Sequence, residues 1–87
     1  MTITHRDFFR ILPKALKSYP YEQKGNAITV ILDKGEISII LSEERRRQIA
    51  SLLLPVTDVP FQLKNVAKST KKLFFEQFDM AYHRGGG

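Results

Sequence analysis

The 87-residue sequence predicts a small α+β domain of two layers. An N-terminal helix is followed by an antiparallel meander of three to four strands, and a C-terminal helix packs on the same face of the sheet. Three observations carry this expectation. Apolar residues recur at helical spacing near both ends of the chain. Between them, Ile28 to Leu41 alternates with the two-residue period of a strand, broken once at Lys34-Gly35. Glycine and proline punctuate the remainder. Residues 1–84 are expected to form one domain and residues 85–87 a flexible Gly tail.

The first helix is expected over residues 5–18. Thr4 suits the N-cap and Asp7 stands three residues later as a shortened capping box, with Ile3 and Phe8 as a hydrophobic staple. Phe8, Ile11, Leu12, Ala15, Leu16 and Tyr19 share one side, and Arg6, Arg10, Lys14 and Lys17 the other. Pro13 removes an N–H from the ladder, so a bend is expected there.

Tyr19 to Asn26 is expected to connect this helix to a hairpin. With Lys34-Gly35 as its loop, Leu32 faces Ile37, Val30 faces Ile39 and Ile28 faces Leu41, all on one side. Residues 42–54 admit two readings. Ser42-Glu43-Glu44 can cap a helix with Ile49, Leu52 and Leu53 on its apolar side, ended by Pro55. Alternatively they form a turn, residues 46–54 are a third strand, and Val59 to Lys64 is a fourth. The strand reading is preferred, because a sheet of two strands is marginal by itself. The final helix is expected to start at Ser69 or Thr70 and stop at Gly85. Phe74, Phe75, Phe78, Ala81 and Tyr82 make its apolar face, and Leu73 and Met80 widen it beyond what one sheet face usually covers.

Composition narrows the function classes. Cysteine is absent, which removes disulfides, thiolate metal sites and cysteine nucleophiles. No apolar run approaches the ~18 residues of a membrane span, and residues 1–6 do not resemble a secretion signal. A cytoplasmic address with no membrane partner is expected. The net charge is +5, and it is uneven: residues 25–44 carry four acidic groups against one basic, whereas residues 45–72 carry seven basic against one acidic.

Enzyme chemistry finds little support. No phosphate-binding glycine loop, GxSxG elbow or HExxH helix occurs. His83 follows Asp79 by four residues, the spacing of an Asp–His pair or of half a metal site. Without further ligands in sight, the expected reading is a solvent-facing pair in which His83 favours the helix C-terminal dipole. No catalytic residue, metal or cofactor is expected.

Two binding surfaces remain. The surplus apolar arc of the last helix suits a protein partner or a second copy of the chain, with Phe75, Met80 and Tyr82 as contacts. The basic clusters Arg45, Arg46, Arg47 and Lys68, Lys71, Lys72 suit nucleic acid. A helix, antiparallel strands and a final helix opening with Lys71-Lys72 resemble the double-stranded RNA-binding domain. That resemblance implies phosphate contacts by Lys71 and Lys72, with Lys68 nearby. It covers topology and one dipeptide, and the final helix here is Phe-rich where that family's is small and alanine-rich. Gly85-Gly86-Gly87 resembles the terminus of ubiquitin-like and sulfur-carrier proteins, which implies a carrier role; those tails, however, follow a strand and not a helix. The leading expectation is a non-enzymatic interaction module acting through the C-terminal helix. Nucleic-acid binding is the first alternative and a Gly-tail carrier the second.

Overall fold

The computed structural model describes residues 1–85. Helix α1 (His5–Ala15) precedes strands β1 (Tyr21–Lys24), β2 (Ala27–Ile31), β3 (Glu36–Ile40), β4 (Arg45–Ile49), β5 (Leu52–Val56) and β6 (Phe61–Lys64), and helix α2 (Lys68–Gly85) follows. The fold is a small α+β sandwich. Strands β1, β2, β3 and β6 form one antiparallel sheet in that order, and β4 pairs only with β5. The molecule is elongated, 46 × 24 × 20 Å.

Helix α1 begins as its sequence dictates. Thr4 is extended and its hydroxyl accepts the Asp7 N–H at 3.1 Å. Ile3 and Phe8 are both buried, as a staple requires. The helix is three residues shorter than expected. It ends at Ala15, with Leu16 as the C-cap donating to the Leu12 carbonyl. A tertiary contact satisfies its end: Gln77 Nε2 donates to the Ala15 carbonyl at 2.9 Å. Pro13 lies exposed within the helix.

The sheet departs from expectation in three places. Tyr21–Lys24, expected within the connection, is an edge strand, paired Tyr21↔Val30 and Lys24↔Ala27. It is short and polar, so its pattern carries almost no signal. The Gly25-Asn26 turn holds it, with Gly25 at φ +58, the backbone a two-residue hairpin asks of glycine. The β2–β3 register is two residues from the expected one, with Val30↔Ile37 and Ile28↔Ile39. The loop is therefore Leu32 to Gly35, closed by the Leu32 N–H on the Gly35 carbonyl at 2.9 Å. A shift of two keeps the parity, so Ile28, Val30, Ile37, Ile39 and Leu41 are all buried, whereas Leu32 is only half-buried. The third strand expected over residues 46–54 is two strands joined at Ala50-Ser51, and the fourth, β6, pairs directly with β3.

Both helices lie on one face of the sheet. Phe8, Leu12 and Leu16 meet Ile28, Val30, Ile37 and Ile39 from below and Phe74, Phe78 and Tyr82 from the side. The Phe8 and Tyr82 rings stack at 5.0 Å, and Phe61 meets Phe78 edge-on at 5.1 Å. The opposite sheet face is open and carries Thr29, Ser38 and Gln62 beside exposed Ile31 and Ile40. Helix α2 starts at Lys68, ahead of both expected caps. Lys71 N–H donates to the Ala67 carbonyl, so Ala67 precedes the helix and Ser69 and Thr70 sit in its first turn. Gly86 and Gly87 of the expected tail lie outside the described residues.

Candidate interaction site: an arm and a groove

Strands β4 and β5 form an arm. Arg45↔Val56, Arg47↔Leu54 and Ile49↔Leu52 share one face of it, and Arg46↔Pro55 and Gln48↔Leu53 the other. Neither face is covered along the distal half. Ile49, Leu52 and Leu53 are 48%, 62% and 65% exposed. At the tip, Ala50 occupies the left-handed region at φ 56, a conformation that costs a Cβ-bearing residue about 1–2 kcal/mol.

The root of the arm is fastened. Met1 N donates to the Thr57 carbonyl at 2.6 Å, and Thr57 N–H returns to the Met1 carbonyl at 2.8 Å. Thr57 is fully buried, and its hydroxyl donates to the Ile3 carbonyl at 2.8 Å. Across the root, Ser42 N–H donates to the Asp58 carbonyl and Asp58 N–H to the Ser42 hydroxyl. The root also reaches helix α1. His5 Nε2 meets the Ser42 carbonyl at 2.7 Å and so carries a proton, and the His5 backbone N–H donates to the Glu44 carboxylate. A carboxylate on an unpaired N–H at a helix start is favourable. The arm is thus a hairpin with an exposed distal half on a hydrogen-bonded root.

Beside that root opens a groove of about 990 Å³ between β6 and α2. Val59, Phe61, Phe75, Phe78, Met80 and Tyr82 line it, with Met1 joining it to the arm root. Glu76, Asp79 and His83 stand exposed on its rim. The arm carries three arginines, and the groove carries two carboxylates.

Of the contacts expected on α2, Phe75 is half-buried in this groove and Met80 is 56% exposed at its edge. Tyr82 also lines the groove, although little of it is exposed. It belongs to the core, 6% exposed, with its hydroxyl donating to the Phe8 carbonyl at 2.8 Å. It lies one turn past Phe78 on the stripe that packs on α1, so it joins the helix–helix seam to the groove. Burial pushes its phenol well above the ordinary range, and Tyr21 adds a smaller push.

The basic residues are not brought together. Arg45 pairs with Asp58 at 2.8 Å in an exposed ion pair, worth under ~1 kcal/mol. Arg46 and Arg47 point to opposite faces of the arm. Lys68, Lys71 and Lys72 lie in the opening turns of α2, whose far end, at Tyr82 and His83, adjoins the arm root. At 1.5 Å per residue that separation is roughly 20 Å. The apolar arm residues Ile49, Leu52 and Leu53 were not singled out as contacts. A signal existed, because Leu52-Leu53-Leu54 in a strand must show leucine on both faces, and two helices on one side cover only one. Among the described residues, no three His, Asp or Glu side chains gather to hold a metal, and no helix is long and apolar enough to cross a membrane. The chain matches no family model, no curated protein and no solved structure in the comparisons made.

Proposed function

We propose that this chain is a non-enzymatic protein-binding module whose recognition surface is the α2–β6 groove together with the arm beside it. The observation that carries the reading is a concave apolar groove whose Met1 end adjoins the root of an arm that bears uncovered apolar residues toward its tip. Exposed apolar area of this kind on a small domain marks a site of association. Phe75 and Met80 are the expected contacts on the groove side. A photo-crosslinker in place of Met80 tests it in the producing cells. The expected product is an adduct destroyed by protease and resistant to nuclease. An adduct that nuclease removes, or none at all, overturns the reading.

One observation favours a second reading, nucleic-acid binding. Lys68, Lys71 and Lys72 stand at the positive end of the α2 dipole, where the first turn holds no acidic residue. Cations there destabilise the helix unless an anion such as phosphate neutralises them. Anisotropy titration with duplex RNA at low and near-physiological salt tests this. Saturable binding abolished by Lys71→Glu with Lys72→Glu supports it, and salt-erased binding indifferent to that change rejects it.

A further inference from the structure

We propose that the occupant of the groove is the arm of a second copy of this chain, each copy inserting its arm into the groove of the other. The proposal rests on the protein-binding reading and names its partner. Three features of the molecule argue for it.

The first is charge. The arm carries Arg46 and Arg47 free of ion pairs among the described residues, and the groove rim carries Glu76 and Asp79. The chain is basic overall, so two copies repel unless opposite charges are set against each other. Seating Arg47 of one arm on the rim of the other groove does so twice.

The second is shape and size. The arm face holding Arg47, Ile49, Leu52 and Leu54 is apolar toward the tip and cationic toward the root. The groove is apolar on its floor and anionic on its rim. Five residues of strand span about 17 Å, and the α2 wall from Phe75 to His83 runs about 12 Å, so a blade of this length crosses the groove.

The third is position. Met1 touches both the groove and, through Thr57, the arm root. Groove and arm root therefore adjoin in each copy, so a two-fold exchange makes both arm-in-groove contacts at once, as an isologous dimer requires. The fastened root keeps the arm from folding back, and the exchange covers apolar residues on a two-stranded hairpin that is marginal by itself.

The test is sedimentation analysis of the whole chain at tens of micromolar. The expected result is a species of twice the 10.0 kDa chain mass. An arm variant, Ile49→Glu with Leu52→Glu, and a groove variant, Phe75→Glu with Met80→Glu, are each expected to be monomeric, with dimer affinity down at least a hundredfold. Should the groove variant fail to fold, Met80→Glu alone, at an exposed position, replaces it. The decisive arm mixes the two variants. One intact arm then finds one intact groove, so a heterodimer forms where neither variant pairs with itself. Arg47→Glu is expected to weaken the dimer about tenfold, and Glu76→Arg with Asp79→Arg in the same chain to restore it. A monomeric wild-type chain, or a dimer that survives both variants, overturns the proposal, as does a mixture that stays monomeric. If the wild-type chain is monomeric and the position-80 crosslink yields a protein adduct of another mass, the exchange falls and the protein-binding reading stands. If that crosslink yields no protein adduct, both fall.

Discussion

The hairpins β2–β3 and β4–β5 both have five-residue strands, and β2, β3 and β5 are rich in aliphatic side chains, yet their surroundings differ. In the first, Ile28, Val30, Ile37 and Ile39 are at most 1% exposed, under two helices. In the second, Ile49, Leu52 and Leu53 remain about half exposed or more. Strand pairing is therefore not what separates core from arm. What separates them is whether a helical layer lies over the strands. Both helices are committed to the four-stranded sheet, and nothing is left to cover the arm.

The largest test of that contrast truncates one residue on each side. Ile39→Ala is expected to cost about 2–5 kcal/mol, because it empties a closed site. Leu52→Ala is expected to change chain stability by no more than about 0.5 kcal/mol. Urea unfolding at high dilution of the chain measures both. Equal losses would place the arm in the core.

Next in size is Gly35, which closes the β2–β3 loop. A Cβ there would collide with the backbone carbonyls of Lys64 and Asn65 at the end of β6. Gly35→Ala is expected to cost about 1–3 kcal/mol, since backbone cannot give way as a side chain tip can. A loss below about 0.5 kcal/mol would show that the β3–β6 junction is looser than its geometry.

A smaller effect separates the regions by pH. Tyr82 belongs to the covered side, and its phenol titrates well above the ordinary value near 10. Stability is therefore intact below that value and falls as pH rises past it, because the unfolded chain releases the proton more readily. Tyr82→Phe is expected to cost about 1 kcal/mol at neutral pH through the lost bond to Phe8. It should also flatten the alkaline decline. An unchanged alkaline slope in the variant would assign the decline to another group.

The smallest expected effects lie in the turns. Gly25 and Ala50 each open a two-residue turn with φ near +57, one with the residue suited to it and one without. Gly25→Ala is expected to destabilise by about 1 kcal/mol, and Ala50→Gly to stabilise the arm by about 0.5 kcal/mol. Amide hydrogen exchange in β4 and β5 reads the second change, with slower exchange expected.

Much of this was legible in the chain. The Thr4 cap, the apolar stripe of α1, the alternation of Ile28 to Leu41 and the aromatic face of α2 each follow from local periodicity, which is why the α+β class was deducible. Periodicity also indicated an apolar arc on α2 wider than the core needs, and of Phe75, Met80 and Tyr82 it is Met80 that stands exposed while Phe75 packs on Phe61 and Phe74. It did not identify β1, whose polar residues are held only by pairing with β2. Nor did it choose between registers two residues apart, because both bury the same side chains. The division of residues 45–56 into an arm depended on a turn at Ala50 that no glycine announces. Whether Tyr82 or Met80 faces the core depended on where α1 lies against α2. Local sequence determines which faces are apolar; only the assembled layers decide which are covered, since covering is a contact between segments far apart in the chain. Here that contact enclosed Tyr82 and left the arm and the groove open side by side.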